Sequence, residues 1–279
     1  MIVHLIDGTY ELFRHFYGQR RFNKGKGKPF GAAVGVLNGV LQMIDEGARH
    51  IGVATDHIIE SFRNDLWPDY KTGEGIEPAL FAQFHPLEKA LASMGVAVWP
   101  MIELEADDAL ASAAQLAAAD PRVLKVCIWT PDKDLAQCVH EDRVVQIDRR
   151  AGAIRDANAI RKKFGVSPIL IPDFLALVGD SADGYPGIPG IGKSGATRLL
   201  NQYGPIETFP EDLLGRHREQ ALLFKRLATL RTDVLLFSDV DDLRWRGPTS
   251  AFAGLTTRIG EAGLLARANA VAAKVIQSI

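Results

Sequence analysis

The chain alternates short apolar runs with longer runs in which apolar residues recur every three or four positions. Apolar runs of strand length lie at residues 2–6, 51–55, 96–99 and 124–129. Helical periodicity lies between them, at residues 32–46, 78–94 and 109–119. Strands separated by helices are typical of βαβ units, which build a parallel sheet. The first part of the chain is therefore predicted to be an α/β domain.

The pattern changes at about residue 167. An apolar stretch at residues 144–147 predicts one more strand, but from about residue 167 the periodicity is helical, interrupted by a Gly- and Pro-rich stretch at 184–195. We therefore predict an α/β domain over residues 1–167 and a helical domain over residues 168–279.

Composition excludes several classes of protein. The 279 residues are 47% hydrophobic and 24% charged, which excludes collagen, coiled coils and extensive disorder. The 32 basic and 34 acidic residues give a net charge of −2, so the total charge does not by itself demand a polyanionic partner. Two cysteines make no disulfide framework, and no apolar run approaches the roughly 18 residues that cross a bilayer. These features favour a cytoplasmic protein.

Acidic residues cluster where the predicted strands end. Asp7 follows the first strand and Asp56 follows the second, while five more acids follow the third and fourth strands: Glu105, Asp107, Asp108, Asp132 and Asp134. Because the carboxyl ends of parallel strands share one edge of a sheet, these seven side chains are expected to converge there.

Seven carboxylates at one edge would repel one another strongly unless cations neutralise them. Mg²⁺ or Mn²⁺ suits oxygen ligands, and two such ions about 4 Å apart can promote phosphodiester hydrolysis. The alternative is structural: Asp107 and Asp108 would favour a helix N-terminus, and Asp132 or Asp134 would cap a helix at residues 135–139. The placement of acids after four separate strands favours the metal site.

The second region adds two acids and a glycine-rich turn. Asp180 and Asp183 precede glycines at positions 187, 190 and 192, between predicted helices at 172–178 and 193–203. A hairpin of this kind between helices can bind the phosphates of duplex DNA through its amides. Residues 187–194 also match the phosphate loop G-x-x-x-x-G-K-[ST] of nucleotide hydrolases, but an acidic turn precedes them where that motif requires a strand.

A run of basic residues near the N-terminus provides a further candidate for DNA contacts. Residues 20–28 contain no acid and five basic residues: Arg20, Arg21, Lys24, Lys26 and Lys28. Such a run is often only a solvated loop, but beside an acidic metal pocket it would attract phosphates and make binding salt-dependent.

Together these motifs resemble the 5′-nuclease (flap endonuclease) family. The residues of this resemblance are Asp7-Gly8, Asp56 with Ser61-Phe62-Arg63, Glu105-Ala106-Asp107-Asp108, Asp132-Lys133-Asp134-Leu135, and Gly179-Asp180-x-x-Asp183 with Pro186-Gly187-x-x-Gly190-Ile191-Gly192. The order and spacing are similar to those of the 5′–3′ exonuclease domain of bacterial DNA polymerase I and of stand-alone bacterial flap endonucleases. The resemblance spans residues 2–237 and implies a PIN-like nuclease domain followed by a helix–three-turn–helix (H3TH) domain.

The resemblance also implies a set of ligands and substrates. The first metal ion would be surrounded by Asp7, Asp56, Glu105, Asp107 and Asp108, and the second by Asp132, Asp134, Asp180 and Asp183. A monomeric enzyme would cleave branched, flapped or nicked DNA near the single-strand/duplex junction, with 5′–3′ exonuclease and RNA-primer removal activity. A K⁺ ion would bind the carbonyls of Ile188 and Ile191, and the cell location would be the nucleoid.

Residues 57–88 would form a helical arch over this site. Arg14 and Arg63 would lie near the scissile phosphate, and Lys71 of the Tyr70-Lys71 pair would steer it. The DNA contacts implied in this way are Tyr70, Gly190, Gly192, Lys193 and Ser194. Two features depart from the family: Glu74 stands where an arginine is usual, and Lys193 is displaced by one position from the family's lysine.

Three other functions compete with this interpretation. A DNA-structure-binding protein with weak catalysis would follow if the Glu74 arch failed to position the substrate. A PIN-type ribonuclease would lack the predicted duplex-binding region with Asp180 and Asp183. A phosphate-loop NTPase would need a strand before Gly187.

Overall fold

The computed structural model of the chain describes residues 1–22 and 28–277 and has a six-stranded sheet. Its strands are β1 (Ile2–Asp7), β2 (His50–Asp56), β3 (Ala97–Met101), β4 (Lys125–Trp129), β5 (Val144–Asp148) and β6 (Ala153–Arg155). They are ordered β3-β2-β1-β4-β5-β6; the first five are mutually parallel, and β6 runs antiparallel to β5. The α/β class with a mostly parallel sheet is confirmed.

Helices alternate with the strands as a βαβ pattern requires, and after β6 the described residues form helices and no further strand of the sheet. They are α1 (Gly8–Phe22), α2 (Gly31–Asp45), α3 (Phe62–Leu66), α4 (Pro78–Phe81), α5 (Phe84–Ser93), α6 (Ala106–Ala119), α7 (Ala157–Phe164), α8 (Ile171–Val178), α9 (Lys193–Tyr203), α10 (Glu211–Leu214), α11 (Arg218–Ala228), α12 (Ala251–Arg258) and α13 (Gly263–Gln277). None of the described helices has the length and apolar character needed to span a bilayer.

Two predicted helices differ from the observed elements. The helix predicted over residues 78–94 is divided into α4 and α5, because a continuous helix would press the Pro86 ring against the carbonyl of Ala82. In the observed arrangement Pro86 lies in the first turn of α5, where its missing N–H costs nothing. The helix predicted at 135–139 is a single 3₁₀ segment, Asp134–Cys138.

Side chains of the central strand alternate between two cores, one on each face of the sheet. Ile6 of β1 packs with the α2 and α5 side, whereas Val3 and Leu5 pack with the alanine-rich helix α6. This alternation follows from the two-residue period of a strand. The sheet is therefore covered on both faces, and its carboxyl-terminal edge remains the place where loops can form a site.

A third core joins the helices of the second region. Phe174 of α8, Leu200 of α9 and Phe224 of α11 are buried together with Tyr185 of the intervening turn. The resemblance implies a helical region after the α/β domain, and the structure confirms it.

The last part of the chain returns to the sheet. Phe252 of α12 and Leu264 and Val271 of α13 are buried in the core of α2 and α5, and the Trp245 Nε1–H donates to the carbonyl of Met94 at 2.8 Å. Leu230, Val240 and Leu243 are buried in the core on the α6 side. Residues 168–279, predicted as one domain, thus contribute to all three cores.

The segment after α3 is attached to the turn between α8 and α9. Trp67 Nε1–H donates to the carbonyl of Gly184 at 3.0 Å, and the Lys71 amide donates to the carbonyl of Asp183 at 3.2 Å. Gly184 has φ +83°, and a Cβ there would overlap the carbonyl oxygen of Asp69. Glycine is therefore needed here both for its conformation and for the close approach of the two backbones.

Gly184→Ala is expected to destabilise the protein by about 3 kcal/mol or more, since it adds a backbone clash to a left-handed conformation. Gly190→Ala is the matched control: φ is +82° but open space surrounds its would-be Cβ, so only about 1 kcal/mol is expected. Urea unfolding of both variants measures the difference. Equal losses of stability would contradict the close packing of the two segments.

Candidate active site

The carboxyl-terminal edge of the sheet brings together acids from four segments. Asp7 ends β1 and Asp56 ends its neighbour β2, while Asp132 follows β4 on the other side of β1. Asp107 lies in the first turn of α6, whose amide at Ala106 donates to Asp56 Oδ1 at 2.8 Å. The neighbouring positions of β2, β1 and β4 therefore account for this convergence.

Two groups of carboxylates at this edge have the spacing of metal ligands. In the first, oxygens of Asp107, Asp132 and Asp134 lie within 4.8 Å of one another. In the second, the same holds for Asp134, Asp180 and Asp183. Asp134 belongs to both groups and so links the α/β domain to the turn after α8.

Burial and mutual repulsion raise the pKa values of these acids. Burial first, and then the charges of Asp56 and Asp132, raise the pKa of Asp7 to about 7. Burial raises the pKa of Asp183 to about 6, with Asp180 adding to the shift. The pKa values of Asp107 and Asp134 are raised well above normal by burial and by Asp132. The pocket therefore has an excess of negative charge that only protons or cations can relieve.

The donor set of this pocket fits divalent cations. Asp134 Oδ1 is buried and accepts no hydrogen bond from any described residue. An orphaned oxygen of this kind is costly unless an ion binds it. All donors are carboxylate oxygens, which suits hard ions such as Mg²⁺ and Mn²⁺.

Hydrogen bonds hold several of these acids in place. Asp7 accepts from the Thr130 hydroxyl at 3.0 Å and from the Tyr10 amide at 2.8 Å. Asp132 Oδ1 accepts from the Asp134 amide at 2.9 Å. Orienting bonds of this kind are typical of the surroundings of metal ligands.

Glu105 differs from the other acids because cations surround it. Its carboxylate lies 2.5 Å from Lys71 Nζ and 3.0 Å from Arg63 Nη1, and it accepts from the Ser61 hydroxyl at 2.8 Å. Although burial is the largest influence and raises the pKa of Glu105, the charges of Lys71 and Arg63 hold it below its usual value. Glu105 is therefore ionised and anchors the segment after α3.

Asp108 and Arg63 require a correction. Asp108 is fully buried and binds Arg63 through both oxygens, at 2.7 and 2.8 Å, and also accepts from the Arg231 amide. Arg63 is 1% exposed and donates further to the Leu227 carbonyl. The two side chains form a structural ion pair, so Asp108 is not a metal ligand and Arg63 does not lie at a phosphate.

Two lysines lie within the acidic pocket. Lys71 Nζ lies 3.5 Å from Asp183 Oδ1 as well as beside Glu105. Lys133 Nζ forms an ion pair with Asp180 Oδ2. The sequence reasoning overlooked Lys133, although it stands between the two acids of the Asp132-Lys133-Asp134 motif.

The predicted arch is folded against the protein. Tyr70 is 4% exposed, lies in the core of the helical region and points its hydroxyl toward Glu105 at 3.5 Å. Its prediction as a DNA contact is therefore corrected to a core position. Trp67 packs edge-on against Phe224, so packing explains this aromatic residue as well. Arg14 is paired with Glu11 at 2.5 Å within α1.

The glycine-rich turn between α8 and α9 presents exposed groups. Gly190 has φ +82°, and the Ile191 amide closes the turn onto the Ile188 carbonyl at 3.0 Å. Gly192 precedes α9, and Lys193 and Ser194 are exposed in its first turn. Because α8 and a turn precede Gly187 where the phosphate-loop motif needs a strand, the NTPase alternative is wrong.

The basic run near the N-terminus is described only in part. Arg20 and Arg21 occupy the end of α1, whereas Lys24 and Lys26 lie outside the described residues. Lys28 is exposed and pairs with Glu261 at 2.8 Å.

Comparison with known proteins decides the family. The family model "5'-3' exonuclease, N-terminal resolvase-like domain" matches residues 2–165, and "5'-3' exonuclease, C-terminal SAM fold" matches residues 166–251. The chain belongs to the 5′-3′ exonuclease family. The resemblance to 5′ nucleases is thereby confirmed, and the enzyme class is that of a nuclease.

The chain is similar both to 5′-3′ exonucleases of about its own length and to much longer DNA polymerases. The 5′-3′ exonuclease of Buchnera aphidicola subsp. Baizongia pistaciae is 33% identical over 249 residues, which cover 82% of each chain. DNA polymerase I of Pseudomonas aeruginosa is 34% identical over 259 residues, covering 86% of this chain and 28% of the polymerase. The chain thus spans less than a third of the polymerases it matches.

Solved structures share the fold at low identity. T5 5′-exonuclease with bound divalent zinc has a TM-score of 0.64 and 15% identity, with 99% of each chain covered. The catalytic core of Rad2 in complex with a DNA substrate has a TM-score of 0.61 and 14% identity, covering 96% of this chain and 90% of that one.

Without metal, the protein is expected to lose stability as the pH rises from 5 to 7.5. The folded pKa values of Asp7, Asp107, Asp134 and Asp183 are raised, so in this interval the folded chain binds more protons than the unfolded chain does. Their stabilising protons are lost as the pH passes through the folded pKa values, at a cost on the order of 2 kcal/mol. Urea unfolding in EDTA at the two pH values measures it.

Asp107→Asn should reduce this decline, because it removes one of the repelling charges. Asp120→Asn is the control, since Asp120 lies just after the same helix but pairs with Arg122 at the surface. Stability that is constant or rises over this pH interval in EDTA would contradict the described charge distribution.

Proposed function

We propose that this chain is a divalent-metal-dependent 5′ nuclease that hydrolyses phosphodiester bonds at single-strand/duplex junctions of branched DNA. The observation that carries the proposal is the pair of carboxylate groups sharing Asp134, whose Oδ1 is buried without a hydrogen-bond partner among the described residues. Membership of the 5′-3′ exonuclease family supports the same reaction class.

The acids divide into two ligand sets in this proposal. Asp107 and Asp132, with Asp7 and Asp56 behind them, would hold one ion, and Asp180 and Asp183 would hold the other, with Asp134 shared. Glu105 would bind neither ion directly but would position Lys71 beside the metal ligands. Bound Mg²⁺ ions would neutralise the phosphate's charge and activate water for attack on the phosphodiester bond.

Lys71 is positioned to hold the reacting phosphate. Its Nζ lies between Glu105 and Asp183, and a third of its side chain is exposed. Those two carboxylates keep the ammonium charged: burial lowers its pKa, but Glu105 and Asp183 raise it well above normal overall. A fixed ammonium beside the metal ligands can donate to a phosphate oxygen and orient the bond for cleavage.

The exposed turn before α9 would bind the duplex arm. Backbone amides at Gly190 and Gly192, together with Lys193 and Ser194 at the helix N-terminus, offer donors to phosphates without reading sequence. The carbonyls of Ile188 and Ile191 would hold K⁺ in this arrangement. Arg14, Arg20, Arg21, Lys24, Lys26 and Lys28 would contribute further phosphate contacts.

The remaining features of the proposal concern the biological setting. The enzyme would act as a monomer on 5′-flap or nicked DNA in the cytoplasm, near the nucleoid. Rad2 is described in complex with a DNA substrate, which supports DNA as the substrate class here.

A labelled 5′-flap duplex tests the proposal directly. Wild type should cleave near the junction with Mg²⁺ and not with EDTA, and Asp107→Asn should lower the rate by about 100-fold or more because it removes a metal ligand. Asp120→Asn should leave the rate unchanged.

Cleavage that persists in EDTA would contradict the metal requirement. Tight binding of the flap without cleavage under Mg²⁺ and Mn²⁺ would instead favour the DNA-structure-binding protein. Faster cleavage of an RNA flap than of a DNA flap would favour the PIN-type ribonuclease.

A further inference from the structure

The two carboxylate groups differ in the cations that touch them. Among the side chains that the structure describes, no lysine or arginine forms an ion pair with Asp107 or Asp132. In the second group, Asp180 is paired with Lys133, and Asp183 lies 3.5 Å from Lys71. The second group is thus partly neutralised by the chain itself.

Lys133 is held close to its partner by the backbone. It immediately precedes the 3₁₀ segment Asp134–Cys138 and reaches across to the turn after α8, where Asp180 is 4% exposed. Asp180 is fixed as well, because its Oδ1 accepts from the Ala182 amide at 3.0 Å and its backbone bridges to Tyr185. The ammonium therefore occupies the Oδ2 side of a carboxylate that the second divalent ion also needs.

We propose that Lys133 is a tethered cation that competes with the second divalent ion for Asp180 and makes that ion the more weakly bound of the two. This inference rests on the proposed metal centre. In the metal-free protein Lys133 limits the repulsion among buried carboxylates. When the second ion binds, Lys133 leaves Asp180 and its partly exposed side chain turns toward solvent.

A physical consequence is that the second site fills only at a higher ion concentration than the first. Removing the ammonium leaves Asp180 uncompensated, which costs stability without metal but increases the attraction for a divalent ion. The effect on ion affinity is therefore opposite in sign to the effect on metal-free stability. A purely structural ion pair has no such opposition.

The matched control is the Lys225–Asp173 pair in the helical region. Lys225 Nζ lies 2.8 Å from Asp173, which is 1% exposed, and 2.7 Å from Glu207. None of these acids belongs to either carboxylate group. Lys225→Gln therefore breaks a comparable lysine–aspartate pair away from the proposed ions.

Titration of the EDTA-stripped full chain with Mn²⁺, followed by the electron paramagnetic resonance signal of free Mn²⁺, tests the proposal without substrate. Wild type should show a tighter and a weaker site. Lys133→Gln should tighten the weaker site by about tenfold. Lys133→Arg should retain the wild-type affinities because it keeps the charge, and Lys225→Gln should leave both affinities unchanged.

Melting temperatures provide a second readout that is independent of the Mn²⁺ signal. In EDTA the melting temperature of Lys133→Gln should lie below that of wild type, and added Mn²⁺ should remove this difference. The melting temperature of Lys225→Gln should lie below that of wild type by the same amount with and without Mn²⁺. Unchanged or weaker Mn²⁺ binding by Lys133→Gln, or a loss of melting temperature independent of Mn²⁺, would overturn the proposal. Failure of wild type to bind Mn²⁺ would instead overturn the metal centre itself.

Discussion

Repulsion among carboxylates at one edge of the sheet is the constraint around which the rest of the site is arranged. The topology forces this crowding, because β2, β1 and β4 are neighbours and their acids follow the strands at the same edge. The chain compensates in three ways: hydrogen bonds to Asp7 and Asp56, lysines at Asp180 and Asp183, and raised pKa values where neither suffices. What remains uncompensated is the charge that divalent ions would neutralise.

The buried pair of Arg63 and Asp108 joins the parts of the molecule that this site requires. Arg63 belongs to α3 and Asp108 to α6. Arg63 also donates to the carbonyl of Leu227, in the last turn of α11, and to that of Thr229, just after α11. Removing one partner of such a pair is expected to be costly, about 3–5 kcal/mol, because the other charge stays buried. The pair therefore fixes the helical region, with Asp180 and Asp183, against the sheet edge that supplies the other acids.

Strand-end positions could be predicted from the sequence because they follow from topology alone. Asp7, Asp56 and Asp132 required only the βαβ pattern and the common edge of a parallel sheet. The same reasoning could not decide which of Asp107 and Asp108 faces the acidic pocket. Adjacent helical residues point about 100° apart, so one faces the pocket and the other faces away. Which one does so depends on Arg63, whose position relative to α6 arises from tertiary packing.

Tyr70 and Lys133 were misjudged or overlooked for related reasons. The family pattern placed Tyr70 in an arch, but its burial depends on how that segment packs on Phe224 and its neighbours. Lys133 was overlooked because its partner, Asp180, lies far away in the sequence and is brought to it only by the packing of the turn after α8. By contrast, the break between α4 and α5 was readable from Pro86 alone, since its ring excludes a continuous helix.

Anomalous diffraction from crystals of this chain soaked in Mn²⁺ would locate the two proposed ions independently of activity. We expect one peak among Asp107, Asp132 and Asp134 and a second, of lower occupancy at limiting Mn²⁺, among Asp134, Asp180 and Asp183. Absence of Mn²⁺ from this edge of the sheet at saturating concentration would contradict it.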